Sequence, residues 1–403
     1  MGGFSTELND DQLQVLGWVH DFAENVERPA GREWDAREQT PWPIIEEAAR
    51  TGLYSLDFVA NCFADPTGLL LPLVNEEMAW GDAGLALAIL GSTLAVAGIV
   101  AAGTPEQVAE WAPRCFGQDG DVRLAALCVS EADGGGPDAN SHGTGAIYDR
   151  SSETWTLNGT ETGVINGGIA DVHVVVASVE PGAGGRCQAS FLVPPKTPGF
   201  SMGRKLNKAG IRACHTAEVI LHDVALPGDC LLGGRGRLDE RISRARQAAR
   251  GRSPVMVTSE ATLPAVAAQA VGIARAAYEH VTAEARRRVA SARPDDAHEV
   301  VALKLADMRT RIDAARLLYM RAASMAMSGR AFAAGEGAMA KFFSAETAVF
   351  VTEQAVQIFQ ACGCGCDCPL ERWHRDAKAH ALLAGTSEPQ RLLMARAITG
   401  LGL

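Results

Sequence analysis

The spacing of apolar residues changes twice along this chain, and that change constrains the fold more than any other feature of the sequence. From Thr6 to about Phe116, apolar residues recur at the three- and four-residue intervals of an amphipathic helix. Between about Val122 and Gly234 the interval becomes two, in apolar runs bounded by Gly and Pro that are typical of strands. Helical spacing then returns, in Ala-rich stretches longer than about 20 residues with short breaks between them.

This order predicts three parts with different architectures. Long helices joined by short breaks are typical of an antiparallel bundle. Local signals agree, because Thr104 before Pro105 is typical of a helix start, and Asn158 with Gly159 predicts a hairpin turn. We therefore expect a mostly α protein with a central β-domain. Its predicted parts are an N-terminal α-helical domain over residues 1–120, a middle β-domain over 121–236 and a C-terminal α-helical bundle over 237–403.

Composition narrows the class of protein. Of the 403 residues, 47% are hydrophobic and 21% are charged, which is the balance of a globular protein rather than a disordered one. The formal net charge of -11 would repel phosphate backbones and anionic lipid heads, so we expect neither nucleic acid nor a membrane surface as a partner. We see no signal peptide and no apolar window near the ~18 residues of a membrane span, which predicts a cytoplasmic protein.

Three segments resemble the acyl-CoA dehydrogenase family. LNGTETGVINGGIADVHVVVASV resembles the segment that contains its Trp-Ile-Thr-Asn-Gly, GIRACHTAEVILHDVALP resembles its Gly-Ile-Arg strand, and PLERWHRDAKAHALLAGTSEPQR resembles its C-terminal run with Glu-Gly-Thr-Ser-Glu. The resemblance covers nearly the whole chain and implies a helical N-terminal domain, a barrel-like middle domain and a C-terminal four-helix bundle. It also implies a homo-oligomer formed through the bundle, and a small-molecule or acyl-thioester substrate.

In that family, FAD lies between the β-domain and the bundle, a Glu removes the substrate α-proton, and the β-hydrogen leaves as hydride. The commonest position of this Glu corresponds to Ala384, whose methyl group cannot accept a proton. A second position that some members use corresponds to Thr262, which is far too weak a base. Glu260 is close in sequence, but two residues along a helix place it about 200° around the axis from Thr262.

The positions that the resemblance assigns to FAD are also changed. A Trp that packs against the isoalloxazine and a Thr that hydrogen-bonds it correspond to Gly163 and Ile165. The glycines that approach the pyrophosphate are reduced to Gly363. Thr386 also has the position of an N-cap for the last helix. If FAD binds, the resemblance implies that its contacts include Ser130, Gly135, Arg288, Gly363, Thr386 and Glu388.

Four cysteines stand at every second position in QACGCGCDC, where the family has its glycine loop: Cys362, Cys364, Cys366 and Cys368. In a strand their thiols would lie roughly 6.5 to 7 Å apart, whereas a tetrahedral zinc needs sulfurs about 3.8 Å apart. We therefore expect no zinc, and small side chains that fill places of larger ones in relatives, with these four as the candidate ligands if a metal binds. A covalent role for one thiolate is an alternative, because His374 and His380 are close in sequence.

These losses lead to a main hypothesis and two alternatives. The main hypothesis is a family fold without bound FAD, repurposed for cyclisation, isomerisation or elimination on a thioester or natural-product intermediate. The alternatives are an FAD-dependent dehydrogenase or oxygenase of an acyl-CoA or acyl-carrier substrate with rearranged contacts, and a non-catalytic partner subunit of an active homologue. The candidate catalytic residues are Ser130, Glu131, Asn166, His215 and Glu260.

Overall fold

The computed structural model describes residues 5–118, 120–129, 144–179, 187–247, 254–291, 296–359 and 368–400. Within them the chain forms helices, then a sheet, then long helices, in the order that the apolar spacing predicts. The expectation of a mostly α protein with a central β-domain is therefore confirmed.

Eight α-helices form the N-terminal part. They are α1 (Asp10–Phe22), α2 (Arg28–Arg37), α3 (Trp42–Thr51), α4 (Leu56–Ala64), α5 (Leu70–Gly81), α6 (Ala83–Leu90), α7 (Ser92–Ala102) and α8 (Pro105–Trp111). A π-helical turn, Ala23–Glu27, joins α1 to α2. The helix start predicted at Thr104 is confirmed, because its side chain accepts from the Gln107 N–H while the Gln107 side chain accepts from the Thr104 N–H.

A seven-stranded sheet forms the middle part. A short pair, β1 (Gly117–Gln118) and β2 (Asp121–Val122), precedes β3 (Ala125–Cys128), β4 (Gly145–Asp149), β5 (Thr154–Ile165), β6 (Val172–Ser178), β7 (Gln188–Val193), β8 (Phe200–Lys205) and β9 (Thr216–Pro227). The sheet order is β3-β6-β4-β5-β9-β8, and β7 pairs with β6. The long central pair β5 and β9 is antiparallel, so the end of β5 lies beside the start of β9.

The hairpin turn predicted at Asn158 and Gly159 is wrong. Strand β5 runs through both residues, and the turn between β4 and β5 lies at residues 150–153. The register of β5 against β9 shifts between Leu157 and Gly159, so the glycine marks a β-bulge. A Cβ on Gly159 would lie only 2.6 Å from the Cα of Thr144, so close backbone approach explains why glycine is needed there.

Long helices form the C-terminal part. They are α9 (Gly234–Gln247), α10 (Pro254–Ser291), α11 (Asp296–Met327), α12 (Glu336–Ile358), α13 (Pro369–Leu382) and α14 (Ser387–Thr399). Helix α10 is central, because it packs against α5, α11, α12 and α13. Small residues make this packing close: a Cβ on Gly272 of α10 would lie 2.3 Å from the carbonyl oxygen of Glu76 on α5.

One apolar cluster joins the sheet to the bundle. It contains Ile165 at the end of β5 and Cys214 before β9, together with bundle residues such as Val271 and Trp373. The end of β5, the start of β9 and the bundle therefore meet in one place. This is the junction at which the family resemblance expects the cofactor and the substrate.

The expectation that no segment has the length and apolarity of a membrane span is wrong. Residues Ala83–Ala102, which cover α6 and α7, form a 20-residue stretch that contains an 18-residue window with a mean hydropathy of 2.3. In this fold 72% of its most apolar window is buried inside the protein. The apolar side chains of this segment thus form part of the protein core.

Candidate functional site

The turn that follows β5 is built around Asn166, which is 1% exposed and has a φ of 58°. Asn tolerates this left-handed conformation better than most residues. Its N–H donates to the carbonyl of His215 (3.0 Å), and its side-chain Nδ2 donates to the carbonyl of Ala125 (3.2 Å). Two of the predicted catalytic residues, Asn166 and His215, therefore lie side by side at the junction.

His215 lies immediately before β9 and is 7% exposed. Its Nε2 is 3.1 Å from the carbonyl oxygen of Gly167, and because a carbonyl only accepts, Nε2 carries the proton. Nδ1 then holds a lone pair, and no described residue hydrogen-bonds to it. Burial lowers the pKa of His215 and outweighs the Gly167 bond, which raises it. A neutral imidazole with a free lone pair can accept a proton.

The end of β5 has an open side next to this turn. Gly163 has a φ of 66°, and a Cβ placed on it would meet no atom within 4 Å. Two residues on, Ile165 is 8% exposed and packs in the cluster that joins the sheet to the bundle. The missing side chain at Gly163 leaves room for a flat ring beside an apolar strand end. The described residues here therefore fit the ring system of a flavin.

The turn between α13 and α14 carries Ala384, the residue at the family base position. Ala384 has a φ of 54° and the following Gly385 a φ of 91°. A left-handed non-glycine residue costs about 1 to 2 kcal/mol, so the surroundings must hold it. The buried Lys341 ammonium of α12 donates to the carbonyls of Ala381 (2.9 Å) and Gly385, and Gln390 Nε2 donates to the carbonyl of Ala384 (3.1 Å). The position that lacks its carboxylate is thus still held as an ordered turn.

A series of hydrogen bonds between buried polar side chains runs from α13, the helix before this turn, into the bundle. His380 Nε2 lies 3.2 Å from Gln269 Oε1, Gln269 Nε2 donates to Asn75 Oδ1 (2.8 Å), and Asn75 Nδ2 donates to the carbonyl of Leu71 (2.9 Å). Burial lowers the pKa of His380 to about 3, so it stays neutral. Lys341 and Gln269 are not among the site residues predicted from the sequence. The sequence could have indicated both, since each is a single polar residue inside an apolar helical pattern.

Thr386 and Glu388 lie at the start of α14, at the N-cap and in the first turn. Thr386 is the N-cap residue, but its side chain makes no capping hydrogen bond. Glu388 is exposed, and its pKa is lowered by its own backbone N–H and by the Thr386 hydroxyl. Pro389 has no N–H and the Glu388 N–H meets its own carboxylate, so in this turn the Ser387 N–H is the donor left for an anionic or polar group.

Most of the other predicted residues lie outside what the structure describes. Glu260 and Arg288 lie in α10, of which only the helical backbone is described at those positions. Cys368 is half-buried at the N-cap of α13. No group of three His, Cys, Asp or Glu residues that could hold a metal occurs in the described part of the chain. Outside that part lie Ser130, Glu131, Gly135, Cys362, Gly363, Cys364 and Cys366.

The histidines considered as partners of a thiolate have other neighbours. His374 Nδ1 lies 3.0 Å from the Thr352 hydroxyl, and His380 faces Gln269. Both bonds lie inside the bundle. In these contacts neither His374 nor His380 is hydrogen-bonded to a cysteine of the described residues.

Three family models match consecutive parts of the chain. They are described as acyl-CoA dehydrogenase, N-terminal domain, over residues 9–119, middle domain over residues 126–224 and C-terminal domain over residues 249–399. Together they span the N-terminal helices, most of the sheet and the bundle.

Relatives match over nearly the full length. The chain is 31% identical to an acyl-CoA dehydrogenase of Bacillus subtilis (98% of this chain, 99% of the relative) and 32% identical to the mitochondrial short-chain specific acyl-CoA dehydrogenase of Bos taurus (97% and 90%). The solved butyryl-CoA dehydrogenase of Megasphaera elsdenii superposes with a TM-score of 0.84 at 30% identity, covering 98% of this chain and 100% of that one.

These names overturn the main hypothesis of the sequence analysis. Relatives at this identity and coverage are dehydrogenases, so the expectation of a fold repurposed for a non-dehydrogenating reaction is wrong, and the alternative of a dehydrogenase is better supported. The expectation of no cofactor is likewise not supported, because the family is one of FAD enzymes. The chain belongs to the acyl-CoA dehydrogenase family.

Proposed function

We propose that this protein is an FAD-dependent dehydrogenase of short-chain acyl-CoA thioesters. The observation that carries the proposal is the 32% identity, over 97% of the chain, to proteins named as short-chain specific acyl-CoA dehydrogenases. The match extends through all three parts, so it includes the parts between which the family holds its cofactor. When bound, FAD supplies the acceptor for the substrate β-hydrogen as hydride. Removal of the α-proton is left to the protein.

The residues that would hold FAD fall into a described and an undescribed group. Among the described residues, the open end of β5 at Gly163 and Ile165 would contact the ring system, and the first turn of α14 at Thr386 would donate hydrogen bonds. By resemblance we add Ser130, Gly135, Arg288 and Gly363 for the remainder of the cofactor. This division makes the ring-facing residues the first to test.

We propose that His215 is the base that removes the α-proton of the substrate. Ala384 cannot accept a proton, and His215 offers a neutral imidazole whose Nε2–H is fixed by the Gly167 carbonyl, which leaves Nδ1 as the acceptor. The neighbouring Asn166 holds the backbone of His215 through its own N–H. In this scheme Gly167 sets the tautomer, Asn166 sets the position and His215 takes the proton.

The cofactor experiment comes first. Protein as isolated, or after incubation with FAD, should absorb near 450 nm and release FAD on denaturation. With butyryl-CoA and an artificial electron acceptor it should form the 2,3-unsaturated thioester. A protein that takes up no FAD, or that holds FAD and leaves butyryl-CoA unchanged, contradicts the proposed function.

The second experiment tests the base. We expect His215→Gln to retain FAD and to lower kcat by about 10²- to 10⁴-fold, the usual contribution of a general base. His222→Gln is the matched control, because His222 lies on the same strand with a side chain that is 83% exposed. Because burial lowers the pKa of His215, kcat/KM should keep its plateau to a pH below the ordinary histidine range. Equal activity of the two variants would exclude His215 as the base.

We also propose that the protein is a homo-oligomer formed through its bundle. Large apolar side chains are exposed on three bundle helices: Leu303 of α11 (64%), Leu382 of α13 (67%) and Ile398 of α14 (66%). The family resemblance implies contacts between subunits through the bundle, and these three side chains are the first candidates for them. Light scattering on the eluted protein should give a mass that is a multiple of 42.5 kDa. A monomer would contradict the proposal.

A further inference from the structure

The loop that precedes β9, residues 209–215, is attached to the bundle at one helix, α13. The Ile211 N–H donates to Asp376 Oδ1 (2.6 Å), and Arg375 Nη1 donates to the carbonyl of Ala209 (2.9 Å). A Cβ on Gly210 would lie 2.3 Å from the Arg375 carbonyl oxygen, so the loop backbone lies directly against the helix. His215 is four residues beyond Ile211 on the same loop. Asn166 and Gly167 hold His215 from the side of β5, and this loop holds the chain that leads into it.

Asp376, which holds the loop, belongs to a group of carboxyls with too few cations. Asp376 is 2% exposed, Asp82 is 2% exposed and Glu27 has no exposed surface. Within this group the buried guanidinium is Arg372, which forms an ion pair with Asp82 (3.3 Å). Three carboxylates beside one guanidinium cannot all be ionised without water, because burial penalises each uncompensated charge by several kcal/mol.

Charged groups around this inner set are already paired with one another. Arg375 binds Asp35 (2.8 Å) and Glu371 (2.8 Å), and Arg212 binds Glu38 and lies 3.8 Å from Asp35. The guanidiniums that α13 and the loop offer are thus engaged by carboxylates of α2 and its C-terminal end and of α13.

Lys208, one residue before the loop, is a half-buried cation whose charge also acts on Asp376, and its ammonium donates to the Cys214 carbonyl and to the Thr216 hydroxyl. In the described part of the chain, two cations thus face three buried carboxyls, which balance the remaining charge by binding a proton.

Hydrogen bonds distinguish the members of the inner set. Asp82 accepts from the backbone N–H groups of Gly84 and Leu85 (3.0 Å each) at the start of α6, which favours its ionised form, although burial still raises its pKa. Burial, and then the neighbouring charge of Asp82, raise the pKa of Asp376 to about 7.

We propose that Asp376 holds a proton when the loop 209–215 is docked, and that this protonated, buried carboxyl is what fixes the loop, and with it His215, to the bundle. Asp376 is on this account a positioning residue. It touches neither substrate nor cofactor, and it acts by holding the backbone of Ile211. Its relevance to catalysis rests on the proposed function, whereas the proton-dependent docking of the loop does not.

The direction of the pH effect follows from linkage. A carboxyl whose folded pKa is raised stabilises the docked loop fully below the ordinary carboxyl pKa, and this stabilisation is lost as the pH rises through about 7. An opened loop would expose Asp376 to water and release the proton. Between pH 6 and pH 8.5 the population of the open loop should therefore rise about tenfold for one group of this pKa.

Hydrogen exchange of the wild-type protein tests this without substrate, flavin or substitution. Protection of the Ile211 to Thr216 amides, corrected for intrinsic exchange, should fall about tenfold from pH 6 to pH 8.5. Amides of α1 should not follow the change. In Asp376→Asn the Oδ1 acceptor remains but the side chain no longer titrates, so protection should be independent of pH. The exposed Lys378→Gln on the same helix is the matched control and should keep the wild-type pH dependence.

Each outcome is decisive. Wild-type protection that does not change between pH 6 and pH 8.5, or an Asp376→Asn variant that keeps the full pH dependence, overturns the inference. If Asp376→Asn does not fold, the wild-type measurement decides alone. A protein that shows the pH-dependent exchange but lacks dehydrogenase activity would sink the proposed function and leave this inference standing.

Discussion

Glu76 of α5 and Glu27 of the π-helical turn are two glutamates with no exposed surface, and they differ in what surrounds them. Glu76 accepts from Arg275 (2.6 Å), Arg316 (3.0 Å) and the Tyr319 hydroxyl. Neither carboxyl oxygen of Glu27 has a hydrogen-bond partner among the described residues. The charge of Glu76 is thus compensated by cations, whereas Glu27 has no described cation as a hydrogen-bond partner.

The pKa values of the two groups move in opposite directions. Burial alone would raise the pKa of Glu76, but the charges of Arg316 and Arg275 outweigh it and the pKa is lowered. Burial raises the pKa of Glu27 well above its ordinary value, and the charge of Asp82 adds to the rise. Burial therefore does not decide the charge of a carboxyl in this protein. The number of cations within reach decides it.

The largest expected effect is that of Glu76→Gln. Removing this charge takes the carboxylate partner from the half-buried Arg316 and leaves Arg275 with Glu77 and Glu279, and breaking a buried ion pair in this way costs about 3 to 5 kcal/mol. Because arginines do not titrate, the loss should be the same at pH 5 and pH 9. Urea unfolding followed by circular dichroism measures it. A loss below about 1 kcal/mol would mean that the arginines find other partners and that the compensation argument fails.

A smaller and pH-dependent effect is expected for Arg372→Met. The variant removes the cation from the group of Glu27, Asp82 and Asp376, but these carboxyls can respond by binding further protons. We expect a loss of about 3 kcal/mol at pH 8 that shrinks toward pH 5, where protons replace the missing charge. An equal loss at both pH values would show that the carboxyls do not take up protons, contrary to the distinction from Glu76.

Glu27→Gln makes the same change as Glu76→Gln at an equally buried site, and the expected effect is slight. Because burial raises the pKa of Glu27 well above its ordinary value, we expect an amide of similar shape to replace a neutral acid at pH 6 and to alter the unfolding free energy by about 1 kcal/mol or less. The wild-type contribution of Glu27 is present below the ordinary carboxyl pKa and lost as the pH rises, so the variant should gain relative stability at higher pH. Urea unfolding at pH 6 and pH 9 measures the change in unfolding free energy and its dependence on pH. A large loss at pH 6 would show that Glu27 is ionised there.

The sequence predicted the fold because its signals are local. The change of spacing from helical to two and back follows directly from which faces of helices and strands are buried, as in α13 and β9. Asn158 with Gly159 was misread because the same dipeptide suits a turn or a bulge. The choice depended on the close approach of Thr144, a contact between residues that no short window contains.

The candidate site was predicted less well, for a physical reason. Ala384 showed that the usual base is absent, but the lone pair of His215 depends on the Gly167 carbonyl, and the turn of Ala384 depends on Lys341 from another helix. Such contacts join residues that are far apart in the chain. Losses at single positions also suggested that the whole reaction was lost, whereas relatives that match over the full length are dehydrogenases.

The smallest expected effect is that of Glu346→Gln, which completes the comparison at the surface. Glu346 pairs with Arg391, and their side chains are 45% and 51% exposed. An exposed pair gains little from its partner because water solvates both charges, so the loss should be below about 1 kcal/mol and should shrink further in 1 M salt. The substitution changes the net charge by the same amount as Glu76→Gln. A loss comparable to that of Glu76→Gln would therefore trace both effects to net charge rather than to a buried carboxylate and its cations.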